Sequence, residues 1–204
     1  YGVTDICVET EGQTREALFS QLTSDERVNQ IIDKSKFYGT DSGVVYGLVF
    51  CNEKKVAKEL SMKFNARGYH TLALTGEDGE ALREEAITRL EKESGFDKLD
   101  YIFTVDIFNE GIDIPKVNQI IMLRPTQSAI VFVQQLGRGL RKSEGKDYLT
   151  VIDFIGNYQS NYLIPVALYG DASYNKDRLR KLLSGGSVDV PGAATVNFDS
   201  ISKE

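Results

Sequence analysis

Gln134-Gln-Leu-Gly-Arg-Gly-Leu-Arg141, taken with Thr104-Val-Asp-Ile-Phe-Asn-Glu-Gly-Ile-Asp-Ile-Pro115 upstream of it, decides how the rest of the chain is read. Gln134, Arg138 and Arg141 stand at i, i+4 and i+7, so a continuing helical turn puts all three on one side. Two guanidiniums and a carboxamide converging there make a planar fork suited to phosphate or carboxylate oxygens. Gly137 and Gly139 remove side chains between them and let a ligand or another backbone come close. Taken alone, the octet reads more simply as an exposed basic helix end, where arginines favour the carboxyl-terminal dipole. In the upstream stretch, Gly111 permits close backbone approach and Asp113 offers a fixed acceptor. By itself, though, Gly-x-Asp-x-Pro makes only a tight turn.

The chain around these stretches alternates between two periodicities. Thr23 or Ser24 can cap a helix carrying Val28, Ile31 and Ile32, which stops near Tyr38-Gly39. Val44–Cys51 is an apolar run fitting a strand buried on both faces. Asn52 then reads as a helix cap, with Val56, Leu60 and Phe64 on the buried stripe and a stop near Gly68. His70–Leu74 predicts a second strand, Thr75–Gly79 a loop, and Leu82, Ala86 and Leu90 a further helix. Tyr101–Val105, Gln119–Leu123 and Tyr148–Phe154 predict three more strands. Thr126 caps an expected helix over Ser128–Leu136 that delivers the glutamine and arginines. Strands alternating with helices at this spacing imply a parallel sheet covered on both faces. Right-handed crossovers then gather the strand-to-helix loops at the carboxyl ends. Tyr158–Leu168 and Lys176–Leu183 read as closing helices. Tyr1–Leu22 is weakly periodic and reads as a linker or arm. The expected division is therefore 1–42 for an arm plus a helix, 43–183 for the sheet domain, and 184–204 for a flexible tail.

Thr104–Pro115 and Gln134-x-x-Gly-Arg-x-x-Arg141 resemble the fifth and sixth motifs of superfamily-two helicases and translocases, and Leu48-Val-Phe-Cys-Asn-Glu53 is similar to their fourth. The three lie in the family's order, and the resemblance covers Val44–Phe154. Val151–Tyr158 and Val188–Ser202 resemble, more loosely, a bacterial DEAD/DEAH-box-like branch acting on DNA. The resemblance implies an α/β, RecA-like parallel sheet with helices on both faces, the second motor lobe of an ATP-dependent enzyme. It implies that Arg138 and Arg141 reach the γ-phosphate as catalytic arginines, with Gln134, Gly111 and Asp113 also on the ATP side. It places Asn52, Thr75, Gly76 and Thr104 against a nucleic-acid backbone, DNA favoured over RNA. Asn52 thus keeps two readings, helix cap and phosphate contact.

No Gly-x-x-x-x-Gly-Lys-Ser/Thr loop and no Asp-Glu-x-His/Asp magnesium motif occurs in the sequence. ATP and Mg²⁺ are therefore expected to be held mainly by a preceding lobe, leaving this chain half an active site and inactive alone. A first residue of Tyr1 rather than Met suggests a piece of something longer. A net charge of −6 argues against indiscriminate nucleic-acid binding without excluding a local basic track. With one histidine and two cysteines the chain lacks the residues for a four-ligand Cys/His zinc site, so no metal is expected on it. Cys7 and Cys51 read as free thiols in a reducing, cytoplasmic compartment. No apolar run nears the roughly twenty residues of a membrane span. Two rivals stand beside the motor lobe. One is a catalytically inactive lobe kept as a nucleic-acid or protein-binding module. The other is a doubly wound small-molecule enzyme, which Cys51-Asn-Glu-Lys-Lys55 disfavours because it lacks a glycine-rich phosphate turn.

Overall fold

Five short strands carry the hydrophobic pattern into a sheet: β1 (Gly47–Phe50), β2 (Thr71–Leu74), β3 (Tyr101–Thr104), β4 (Gln119–Met122) and β5 (Thr150–Asp153). The computed structural model describes residues 15–105, 114–124 and 146–154. The strands lie in the order β2-β3-β1-β4-β5, and every pairing is parallel. β1, β3 and β4 are buried at all four positions, which is why they read as continuous apolar runs rather than alternating ones.

Period two still sorts their side chains. Val49, Cys51, Tyr101, Phe103 and Ile121 meet α2 (Asp25–Tyr38) and α3 (Lys54–Asn65), through Val28, Ile31, Val56, Leu60 and Phe64. Leu48, Phe50, Ile102, Ile120 and Met122 face the opposite way, toward Ala86 and Leu90 of α4 (Glu80–Leu90). This is the expected α/β arrangement with helices on both faces. α2 precedes residue 43, where the sheet domain is expected to begin, yet its buried face packs directly on the sheet.

Differences from the expected elements are local. The strands are shorter than the apolar runs that mark them, since β1 starts at Gly47 rather than Val44. Residues 15–22, read as part of an irregular arm, form α1 (Arg15–Leu22). Ser24 rather than Thr23 caps α2, its Oγ accepting from the Arg27 amide at 3.1 Å. Thr23 instead donates to the Phe19 carbonyl at the end of α1. α2 stops where Gly39 takes φ 59°, a left-handed conformation that favours glycine. The helices expected at Ser128–Leu136, Tyr158–Leu168 and Lys176–Leu183, and the tail from residue 184, lie outside the described residues.

The amino edge of the sheet is closed by hydrogen bonds. Gln119 Oε1 accepts from Ser35 Oγ at 2.8 Å and Tyr101 Oη at 2.7 Å, and its Nε2 donates to the Ser35 and Gly39 carbonyls. Burial pushes the Tyr101 hydroxyl's pKa up, so it serves as a neutral donor. The Tyr101 ring lies where a β-carbon on Gly47 would come within 2.1 Å of it, so only glycine fits there. Asn118 pairs its carboxamide with the Tyr46 amide and the Val44 carbonyl. Lys98 donates to the Val45 and Leu99 carbonyls and to Asp100. β5 is tied on by Asp41, which accepts from the backbone amides of Asp147 and Tyr148, and by Thr150, which donates to the Gly39 carbonyl at 3.0 Å.

Two outcomes follow from this edge. Tyr101→Phe removes one hydroxyl and should cost about 1–2 kcal/mol. Gln119→Met removes all four of its bonds at once, leaving the Ser35 and Tyr101 hydroxyls only each other and the Gly39 carbonyl only Thr150, and should cost about 2–4 kcal/mol, read from denaturant midpoints. Equal losses would contradict the central place of Gln119. Burial raises the Asp41 pKa, but the amides of Asp147, Tyr148 and Ser42 outweigh it and the net shift is downward. Its contribution is therefore complete above the unfolded carboxylate pKa of about 4 and fades as pH falls through the lower folded value. Amide protection factors at residues 147–150, corrected for the slower intrinsic exchange at low pH, should fall on acidification in the native protein and much less so in Asp41→Asn. An identical acid response in both would remove that role.

Candidate functional site

The carboxyl edge is built differently. β1 runs out into Cys51-Asn52-Glu53 and then α3, and β2 runs out into Thr75–Gly79 and then α4. Glu53 is the N-cap of α3 and Gly79 that of α4, and neither helix start receives a side-chain cap bond. Among the described residues, two helix amino termini therefore present their first amides at this edge without a side-chain cap from their own N-cap residue. This corrects the reading of Asn52 as the cap. The helix begins one residue later than the sequence suggests, leaving Asn52 in the bend before it.

Asn52 Oδ1 is buried and has no hydrogen-bond partner. The same holds for Thr104 Oγ1, on a residue with no exposed surface at the last position of β3. The two segments are neighbours: Phe50 pairs with Thr104 across the ladder, and the Cys51 amide donates to the Thr104 carbonyl at 2.9 Å. The third buried side-chain atom without a partner, among the described residues, is Arg83 Nε in α4. Arg83 reaches back over the same edge, its Nη2 donating to the Gly76 carbonyl at 3.2 Å. All three orphaned atoms thus fall at the carboxyl ends of the strands, whereas the amino edge is satisfied.

Thr75 and Gly76 stand in a braced turn. Asp78 accepts from the Thr75 amide at 2.6 Å and from its hydroxyl at 3.0 Å. The Thr75 hydroxyl proton is thereby committed inward and the side chain is buried, so this residue shapes the turn rather than offering a donor. Gly76 is exposed, with open space where a side chain would be. Lys54 and Glu77 form an ion pair at 2.6 Å that joins the start of α3 to this turn. Sequence reading missed Asp78, Arg83 and the Lys54–Glu77 pair. Asp78 three residues after Thr75 was a legible turn signal, but the other contacts join separate segments.

Cys51 is buried, and burial pushes its thiol up to about 12, which makes it inert. Cys7 lies outside the described residues. Gly111, Asp113, Gln134, Arg138 and Arg141 also lie outside them. Among the described residues no three His, Cys, Asp or Glu side chains gather where they could hold a metal ion, and no step is assigned to magnesium on them. No helix among them is long and apolar enough to cross a membrane.

The parallel sheet, with its open carboxyl edge, is a RecA-like lobe. Residues 27–143, more than half of the chain, match the helicase conserved C-terminal domain, and the chain belongs to that family, which supplies the C-terminal lobe of superfamily-two ATP-dependent helicases. It is 28% identical over 141 residues to a Saccharomyces cerevisiae protein provisionally named ATP-dependent helicase IRC3, covering 69% of this chain and 20% of that protein. It is 28% identical over 130 residues to the pre-mRNA-splicing ATP-dependent RNA helicase prp28 of Schizosaccharomyces pombe, covering 64% of this chain and 18% of that one. Among solved structures, a DEAD box protein from Methanococcus jannaschii has the same fold, with a TM-score of 0.53 at 22% identity over 70% of this chain and 37% of that one. The chain spans about a fifth of the length of these curated relatives.

An unpartnered buried hydroxyl costs stability that an isosteric methyl does not. Thr104→Val should therefore leave the denaturant midpoint unchanged or raise stability by up to about 1 kcal/mol. A loss clearly beyond 1 kcal/mol would mean that the hydroxyl is satisfied within the fold.

Proposed function

We propose that this chain is the second motor lobe of an ATP-dependent helicase or translocase and that its carboxyl edge grips a nucleic-acid backbone. The observation that carries the grip is the pair of orphaned atoms, Asn52 Oδ1 and Thr104 Oγ1, beside two helix amino termini without side-chain caps. Helix amino termini attract phosphate through their free amides and their dipole. Both orphaned atoms are buried, so the strand meets them as the edge opens over them: the Thr104 hydroxyl then donates to a phosphate oxygen, and the Asn52 carboxamide turns either its oxygen or its nitrogen toward sugar or phosphate. Contacts of this kind read backbone rather than bases, as a motor stepping along any sequence requires.

The nucleotide side of the proposal rests on sequence. Arg138 and Arg141 extend from this lobe to the γ-phosphate of ATP held with Mg²⁺ mainly by a preceding lobe, and neutralise charge as the phosphoryl group transfers. Gln134, Gly111 and Asp113 complete the nucleotide contact. Cleft closure and hydrolysis alternate the grip on the strand. DNA is proposed over RNA because Val151–Tyr158 and Val188–Ser202 resemble a DNA-acting branch, and the motor is placed in the cytoplasm. This lobe without its partner lobe hydrolyses ATP negligibly.

The test is strand-stimulated ATPase and strand affinity measured on the same full-length variants. Arg141→Ala should lower kcat by about 10³-fold or more while strand affinity stays within about two-fold. Arg141→Lys should rescue little, because an ammonium lacks the planar two-donor fork. Near-native turnover in folded Arg141→Ala would overturn the motor reading.

A further inference from the structure

Lys54 and Glu77 are 23 residues apart in sequence, and their 2.6 Å ion pair bridges the two loops that frame the carboxyl edge. Lys54 is the first residue of α3, at the helix end that lacks a side-chain cap, and Lys58 follows one turn later. An ammonium there adds a full charge to the positive end of the helix dipole, a place suited to an anion. The anion present is Glu77. Its side chain is 72% exposed and that of Lys54 47%, so the carboxylate is held there by the Lys54 pairing, with a weaker attraction from Lys58. Pairs this exposed contribute little to stability and exchange partners readily. The neighbouring Asp78 carboxylate is occupied by Thr75 and does not compete for Lys54. Asn52, with its unpartnered Oδ1, lies two residues before Lys54 on the same turn of chain.

We propose that Lys54 is a phosphate-contacting residue of this edge and that Glu77 is its resident competitor, displaced when a nucleic-acid strand arrives. The proposal rests on the edge being the strand-binding surface, and adds to it a residue and a means of restraining it. A carboxylate and a phosphate oxygen satisfy the same ammonium, so binding exchanges one anion for another. The exchange lowers affinity for any strand that does not also engage the rest of the edge. It also changes the salt response. Neutralising a phosphate frees a cation from the strand's atmosphere in either case, but parting Lys54 from Glu77 is itself favoured by salt, so the resident carboxylate flattens the salt dependence.

The experiment measures affinity of the full-length protein for a labelled 20-nucleotide single strand across a salt series. The variants are Glu77→Gln, Lys54→Gln, the double variant and Thr104→Val. Glu77→Gln is expected to bind about five-fold tighter at low salt, the effect of removing one charge about 4 Å away in water. Its log–log salt slope should steepen, by no more than about 0.7, the value of one whole phosphate contact. Both changes should vanish when Lys54→Gln is already present. If Glu77→Gln tightens binding equally with and without Lys54, Glu77 acts by simple repulsion and the competitor role is overturned. If Glu77→Gln changes nothing while Thr104→Val weakens binding, the strand surface stands and the competitor falls. If neither Thr104→Val nor Lys54→Gln alters affinity, the edge is not the strand surface and the proposal falls with it.

Discussion

In a parallel sheet every strand delivers its carboxyl end, and the helix that follows it, to one edge, and the division of labour in this lobe depends on that constraint. At the opposite edge chain segments arrive from helices and loops, and there the polar groups can close on one another. Gln119, Tyr101 and Ser35 form one buried cluster, while Asn118 and Lys98 stitch the approach to β1. The central apolar strands are thus fixed from behind. The carboxyl edge can then carry groups whose hydrogen bonds are incomplete.

That incompleteness has a cost, which identifies it as something the fold tolerates rather than needs. A buried hydroxyl or carboxamide without a partner destabilises by about 1–3 kcal/mol. Valine at position 104 would satisfy the packing of β3 without that cost. The Thr75 turn shows that the same edge can satisfy its groups where they serve structure, since Asp78 takes both the amide and the hydroxyl of Thr75. The atoms at Asn52, Thr104 and Arg83 that lack partners stand beside a fully bonded turn, and the proposed strand grip draws on that contrast.

The architecture was legible because each buried strand is a run of branched and aromatic residues and α2 and α3 keep a 3.6-residue stripe, whereas in α4 only Ala86 and Leu90 of the expected stripe are buried and Leu82 is exposed. Val28, Ile31 and Ile32 locate α2, and Val56, Leu60 and Phe64 locate α3. Strand ends were less so. Val44 and Val45 are as apolar as β1, but their carbonyls accept from Asn118 and Lys98 side chains, contacts that local sequence does not contain. The α3 cap was misread because asparagine is favoured at helix starts, and nothing local shows that Asn52 is drawn into the edge instead. Thr104 was singled out by family motif alone. Its missing partner became visible only when β1 and β3 were set side by side. Lys54–Glu77 was illegible because salt-bridge partners in different crossovers leave no spacing in the sequence.

The central claim is that the carboxyl edge, and not some other face, meets the strand. Hydrogen–deuterium exchange of the full-length protein with and without a saturating single strand tests it most directly. Added protection should appear in residues 52–56 and 75–83, at the starts of α3 and α4, with the amino-edge segments 35–47 and 116–119 unchanged. Protection confined to the amino edge, or none at the two helix starts under saturating strand, would contradict it.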